Sequence, residues 1–149
     1  MPHSFVQNYI HLVYSTKHRN SWIPQEVREG LFAYQAGIFS KWDSHSVIIG
    51  GVEDHVHALF SLSPNHALSK IVEEVKKGST KWMKSKGTRM QEFCWQEGYA
   101  AFSVSQSNKP AVMKYIQNQE QHHRQKNYVA ELKLFLKRHD IMDRPSVWE

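Results

Sequence analysis

The chain has 149 residues, 40% of them hydrophobic, so we expect a single domain over residues 1–149 with one ordinary core. Its formal net charge of +5 is compatible with a polyanionic partner. The lone Cys94 excludes an internal disulfide, and no apolar run approaches the roughly 20 residues of a membrane span. Because the N-terminus from Met1 to Ser4 also lacks a signal-peptide pattern, we expect a cytoplasmic protein without membrane contact.

Three segments in the first half of the chain have the composition of β-strands. Residues 5–14 are rich in β-branched and aromatic side chains, and residues 46–52 and 56–62 are separated by only a short link. Such a link predicts an antiparallel hairpin between the second and third strands. Two shorter strand candidates, residues 92–95 and 101–105, lie on either side of a turn in the second half.

Apolar side chains recur every three or four residues in four other segments, which predicts helices. These segments are residues 24–42, 68–86, 109–123 and 129–136. Gly78 lies inside the second segment, where glycine costs about 1 kcal/mol, so we expect another backbone or DNA to approach closely there. Beyond the last helix, we expect Trp148 to anchor the C-terminus.

The most informative short motif is His55-Val56-His57, at the start of the third predicted strand. Residues two apart in a strand project to the same face, so the histidines would stand about 7 Å apart at Cα and could share one divalent ion. The other face of this strand is wholly apolar and should face the core. We therefore expect the histidines to point outward into a cleft. A chain with 10 histidines also produces such pairs by chance, so a second feature must decide.

Tyr115 and Gln119 supply that second feature, because a spacing of four residues places them one turn apart on one face of the third predicted helix. A tyrosine hydroxyl has an ordinary pKa near 10 and attacks poorly unless its target is made electrophilic. If the amide oxygen of Gln119 joins the two imidazoles, the ligands are all neutral and the ion keeps its charge for a substrate phosphate. This set suits Mg²⁺ or Mn²⁺ and not a closed structural zinc site. Taken alone, Tyr115 also fits a buried helix aromatic.

Two groups of basic residues are candidates for contact with nucleic-acid phosphates. Lys17, His18 and Arg19 follow the first predicted strand. The polar face of the second predicted helix carries six lysines, namely Lys70, Lys76, Lys77, Lys81, Lys84 and Lys86. We include Lys76, Lys77 and Lys81 among the DNA-binding candidates, although both groups would also serve as ordinary solvated surface.

Five segments in this order resemble the single-tyrosine HUH transposases of small bacterial insertion sequences. They are YIHLVYSTKHR from residue 9, DHVH from residue 54, WQEGY from residue 95, AFSVS from residue 101 and YIQNQ from residue 115. The resemblance covers about residues 5 to 140. One departure is Val52-Glu53, where many relatives have Met-Pro before the DHVH motif, and we expect this to be a tolerated loop change.

The resemblance implies an α+β fold with a ferredoxin-like or RNA-recognition-motif-like antiparallel sheet flanked by helices. By resemblance, Tyr115 matches the nucleophile, and His55, His57 and Gln119 match the metal ligands. Members of the family act as homodimers on single-stranded DNA with hairpin ends, and cut it to leave a 5′-phosphotyrosine and a free 3′-OH. Tyr115 is on this basis expected in a helix of the C-terminal half, where it could act in trans on the neighbouring subunit.

Two other interpretations stay open at this stage. A related, domesticated branch of the family processes repetitive palindromes, and a non-catalytic module could grip single strands with basic and aromatic side chains. A histidine-triad hydrolase is discounted, because it would need a third histidine at position 59, which is Leu59. Of the remaining polar residues, we interpret His122 and His123 as surface groups and Asp54 as a turn residue that could orient a histidine.

Overall fold

The computed structural model describes residues 4–123 and 127–142. Its centre is a four-stranded antiparallel sheet in the order β2-β3-β1-β4. The strands are β1 (Tyr9–Ser15), β2 (Ser46–Gly51), β3 (His55–Ser61) and β4 (Ala100–Val104). The helices are α1 (Gln25–Lys41), α2 (Leu68–Lys84), α3 (Lys109–Gln117), α4 (Gln119–His122) and α5 (Tyr128–Arg138). The β-α-β-β-α-β succession with this strand order is ferredoxin-like, which confirms the predicted α+β fold.

The predicted hairpin is present, because β2 and β3 pair antiparallel on either side of a short link. The strand candidate at residues 101–105 corresponds to β4, whereas the candidate at residues 92–95 is not a strand. β1 ends at Ser15, and the chain enters a short turn after Thr16. Trp95 therefore forms an isolated antiparallel bridge with Thr16 and not a continuous ladder. Within the described residues, none of the helices is long and apolar enough to cross a membrane.

One face of the sheet carries the main core beneath α1 and α2. Val56 and Phe60 of β3 are fully buried there, as the alternation in the sequence predicted. Gly78 of α2 faces α1, and a Cβ atom at Gly78 would lie 2.6 Å from Cδ1 of Ile38. The close neighbour of Gly78 is therefore a side chain of the packed helix, and the expectation of a backbone or DNA at this position is wrong.

The opposite face of the sheet is covered by the C-terminal helices. α5 packs through Tyr128 and Phe135 onto Phe102 of β4, and α3 packs through Ile116. This is the face from which the two histidines of the His-x-His motif project, so α3, α4 and α5 form a layer over them. The predicted anchor Trp148 lies outside the described residues.

Candidate metal and nucleophile site

His55 and His57 lie side by side on β3, facing away from the main core. Their ring centroids are 5.3 Å apart, and both side chains are 0% exposed. The prediction that they point away from the core is correct, but the expected open cleft is wrong. The C-terminal helices cover this face, and the ring of Tyr128 on α5 lies 4.7 Å from that of His55.

Tyr115 and Gln119 reach the same place from two helical segments. The backbone leaves helical geometry at Asn118, with φ −101° and ψ 25°, so that α3 ends and α4 begins. The amide oxygen of Gln119 then lies 3.3 Å from Nε2 of His55, and the Gln119 side chain is buried. The centroid of the half-buried Tyr115 ring lies 5.8 Å from that of His57. The structure thus brings together the four residues that the sequence singled out.

A carboxylate that the sequence analysis missed lies at the centre of this group. Glu131 of α5 is 3% exposed, and its Oε1 atom accepts hydrogen bonds from three imidazoles. The distances to Oε1 are 3.0 Å from Nε2 of His57, 3.1 Å from Nε2 of His123 and 3.2 Å from Nε2 of His55. Three ring nitrogens therefore converge on one oxygen. Two of them come from β3 and the third comes from the end of α4.

The second oxygen of Glu131 faces the tyrosine. The Tyr115 hydroxyl donates a hydrogen bond to Oε2, and the amide nitrogen of Gln119 donates to the same atom at 3.3 Å. Burial and the negative charge of Glu131 raise the pKa of the Tyr115 hydroxyl well above its usual value. The hydroxyl consequently keeps its proton and acts as a donor in this arrangement.

The outer ring nitrogens of both motif histidines also have partners. Nδ1 of His55 donates to Oδ1 of Asp54 at 2.7 Å, so Asp54 makes the orienting contact expected from the sequence. Nδ1 of His57 lies 2.8 Å from Nε2 of His11 on β1, a buried histidine that the sequence analysis did not single out. Partners of this kind fix the ring orientation of metal-binding histidines and tune their basicity.

Burial and hydrogen bonding shift these groups in different directions. Burial alone lowers the pKa of His55, but hydrogen bonds to Asp54 and Glu131 outweigh it and raise that pKa to about 9. For His57, burial outweighs the hydrogen bond to Glu131 and lowers the pKa to about 4. Burial opposes ionisation of Glu131, yet hydrogen bonds from His123, His55 and His57 hold its pKa far below its usual range. Hydrogen bonds to Asp54 and Glu131 therefore favour the charged form of His55, whereas burial favours the neutral form of His57.

The cluster has the chemistry of a metal site. The ligand atoms of His55, His57, His123 and Glu131 all lie within 4.8 Å of one another, and the Gln119 amide oxygen lies beside them. Converging imidazole nitrogens and carboxylate or amide oxygens are typical ligands of divalent metals. These residues could therefore hold one ion. The interpretation of His123 as a surface group is wrong, because its ring lies 4.4 Å from that of His55 and bonds to Glu131.

Signals for the missed residues do exist in the sequence. Glu131 lies between Tyr128 and Phe135 on the buried stripe of α5, where a charged residue has no packing reason to be. His123 follows Gln119 by four residues, one turn further along the same stretch. His11 lies two residues before Val13 on β1, and Val13 pairs with His57, so His11 is on the same face of the sheet.

The basic turn after β1 lies at the end of the sheet where the motif begins. Ser15 pairs with His55, and Lys17, His18 and Arg19 follow directly in a 3₁₀ turn. His18 and Arg19 both have a φ of 57°, a left-handed conformation that is rare for residues other than glycine. Lys17 and His18 are exposed to solvent at this end of the sheet.

The lysines of α2 are not brought to the site. α2 packs on the face of the sheet opposite to the histidines, where Lys77 and Lys81 are exposed. Lys76 is engaged within the protein, since its Nζ donates hydrogen bonds to the carbonyl oxygens of Gln96 and Gly98. These hydrogen bonds from Lys76 hold the loop before β4 against α2.

Comparison with known proteins identifies the family. Residues 4–119 match the family described as Transposase IS200 like. The ISDra2 transposase TnpA of Deinococcus radiodurans is 26% identical over an alignment that covers 73% of this chain and 81% of the relative.

Two solved structures have the same fold. A crystal structure of a transposase from Deinococcus radiodurans R1 superposes with a TM-score of 0.61 and 26% identity, covering 78% of this chain and 94% of that one. A REP-associated tyrosine transposase bound to a REP hairpin superposes with a TM-score of 0.58 and 14% identity, covering 77% of this chain and 68% of that one. The family match spans most of the described residues, and the chain therefore belongs to the IS200-like transposases.

Proposed function

We propose that this transposase cuts and rejoins single-stranded DNA at the ends of an insertion sequence through a 5′-phosphotyrosine intermediate. DNA cleavage and strand transfer are the general activity of its family. The observation that carries the finer proposal is the convergence of Tyr115 with the His55, His57 and Gln119 side chains in one buried site. A nucleophile beside a metal site is the arrangement that this chemistry requires.

We propose that His55, His57 and Gln119 hold a divalent ion, Mg²⁺ or Mn²⁺. When bound, such an ion polarises a phosphodiester oxygen and stabilises the leaving alkoxide. The contribution of the chain is to hold the two rings in place, through Asp54 on one side and His11 on the other. The covering helices also keep water away from the ligands, since both rings are fully buried.

In the proposed reaction, the Tyr115 oxygen forms a bond to phosphorus and the bond from phosphorus to the 3′-oxygen breaks. The tyrosine proton must leave as this bond forms, and the departing 3′-oxygen takes up a proton to become a hydroxyl. The phosphotyrosine ester replaces one phosphodiester bond, so a strand can later be rejoined without ATP. A reaction that keeps the phosphate in an ester bond suits transposition better than digestion of DNA.

For the partner, we propose single-stranded DNA with hairpin ends, contacted by Lys17, His18 and Arg19. The support is the position of this turn beside the His55 end of β3, and the hairpin bound by the REP-associated structural relative. We propose a weaker contribution from Lys77 and Lys81, which lie on the other face of the sheet, and from Lys76. We also propose a homodimer. The Tyr115 ring lies 5.8 Å from that of His57 of its own chain, which supports action in cis as an alternative to action on the neighbouring subunit.

The direct test is covalent capture of DNA. A labelled single-stranded oligonucleotide with the hairpin that flanks the gene is incubated with the protein and Mn²⁺ or Mg²⁺, and run on a denaturing gel. We expect a slow-migrating adduct that requires the metal and disappears in Tyr115→Phe. An adduct that persists in Tyr115→Phe would exclude this nucleophile. Metal-independent binding without any adduct would instead favour the non-catalytic module or a domesticated relative.

A further inference from the structure

The polar contacts of Glu131 are divided between its two oxygens. Oε1 faces Nε2 of His55, His57 and His123 at 3.0 to 3.2 Å, and Oε2 faces the Tyr115 hydroxyl. Each oxygen of an ionised carboxylate offers about two acceptor sites. Here a single oxygen is shared by three imidazoles whose other contacts already orient two of them. Such a convergence is what an ion would need from its ligands.

We propose that Glu131 and His123 are themselves metal ligands, so that the ion is held by three imidazoles, one carboxylate and the Gln119 amide. This inference rests on the proposed function and enlarges its metal site beyond His55, His57 and Gln119. The ligand atoms of the three histidines and Glu131 lie within 4.8 Å of one another, which is close enough for a common ion. In this arrangement one oxygen of Glu131 binds the ion, and the other accepts the hydrogen bond from the Tyr115 hydroxyl.

The enlarged ligand set favours a particular class of metal. Imidazole nitrogens suit first-row transition metals such as Zn²⁺, and Mn²⁺ also accepts carboxylate and amide oxygens, whereas Mg²⁺ prefers oxygen ligands alone and retains several waters. His55 and His57 are fully buried and Glu131 is nearly so, which leaves little room for retained water. We therefore expect this site to bind Mn²⁺ more tightly than Mg²⁺ when the two ions are at equal concentration.

The first test counts ligands directly on the wild-type protein. Mn²⁺ alone is added to the full chain, and pulsed electron paramagnetic resonance counts the imidazole nitrogens coupled to the bound ion. We expect three, from His55, His57 and His123. A count of two would overturn the assignment of His123. Displacement of the bound Mn²⁺ by an equal concentration of Mg²⁺ would overturn the proposed metal class.

The second test measures Mn²⁺ affinity by calorimetry in matched variants. Glu131→Gln keeps the shape of the side chain but removes its charge, and Glu120→Gln makes the same change at an exposed carboxylate of α4. We expect Glu131→Gln to weaken binding at least about 10-fold, since even groups that only orient ligands cost 10- to 100-fold. Glu120→Gln is expected to leave the affinity within about 3-fold of the wild type, because the Glu120 carboxylate pairs with Arg28 at the surface and orients no proposed ligand.

The outcomes separate this inference from the function on which it rests. If His57→Ala abolishes Mn²⁺ binding while Glu131→Gln and His123→Gln bind like the wild type, the enlarged site is wrong and the smaller one stands. If His57→Ala binds Mn²⁺ as the wild type does, the proposed metal site itself is wrong. The nitrogen count on the wild-type protein decides the role of His123 even if a variant fails to fold.

Discussion

Gly50 offers the sharpest prediction, because it lets the tyrosine helix lie directly against the sheet. A Cβ atom at Gly50 of β2 would lie 2.8 Å from the backbone oxygen of Ile116 and 3.1 Å from its Cγ2 atom. An ordinary contact begins at 3.4 Å, so Gly50→Ala must push α3 away by about 0.6 Å. Ile116 directly follows Tyr115, so we expect the displacement to reach the proposed nucleophile.

The expected cost of Gly50→Ala has two parts. Overpacking of this kind destabilises a fold by about 1 to 3 kcal/mol. A misplacement of about 1 Å costs on the order of 100-fold in rate, so a shift of about half that size should slow adduct formation by roughly 10-fold or more. Urea unfolding measures the first part, and the single-turnover rate of the covalent adduct with saturating DNA and Mn²⁺ measures the second.

A second glycine provides the control. Gly37 in α1 is exposed, and a Cβ atom there would have no neighbour within 4 Å. Gly37→Ala should therefore stabilise the protein by up to about 1 kcal/mol through helix propensity, without changing the adduct rate. A Gly50→Ala variant that is as stable as the wild type and forms adduct at the same rate would refute the close contact between β2 and α3.

Three further predictions concern the site and its surroundings. His11→Phe removes the hydrogen bond to Nδ1 of His57 but keeps an aromatic ring at this position. Calorimetry should show Mn²⁺ affinity reduced about 10- to 100-fold, with unchanged circular dichroism of the protein. An undiminished affinity would argue against an orienting role of His11. Mn²⁺ at about 100 times its dissociation constant should add about 2.7 kcal/mol to the free energy of unfolding, and His55→Ala should lose this gain. Burial lowers the pKa of Lys76 from 10.5 to about 8, so between these values this side chain binds more protons in the unfolded chain and its contribution to stability rises with pH. In denaturation curves, the slope of the unfolding free energy against pH should therefore be more positive for the wild type than for Lys76→Met, and equal slopes would contradict this.

The motif on β3 shows how far local pattern carries a prediction. Alternation alone separates Val56 and Phe60 from His55 and His57, and both faces are as predicted. What alternation cannot show is the depth of the site, because burial on the histidine face depends on α5, more than 60 residues away. The open cleft was expected for that reason, although the face itself was identified correctly.

The missed Glu131 has a related cause. Its position on the stripe of α5 makes it anomalous, but an isolated helix does not reveal what its buried face contacts. The spacing of Tyr115 and Gln119 was informative because both lie within one turn of chain, whereas Glu131 is linked to them only through the packed structure. Local spacing thus identified the half of the site that is close in sequence.

The left-handed turn at His18 and Arg19 has a consequence for how this protein can vary. Holding two residues with side chains at a φ of 57° opposes folding by about 1 to 3 kcal/mol each, and glycine would adopt the same conformation more easily. Replacement by glycine would thus favour the folded backbone while removing the two side chains proposed to contact DNA. If this turn contacts DNA as proposed, a change that stabilises the protein here weakens its DNA binding.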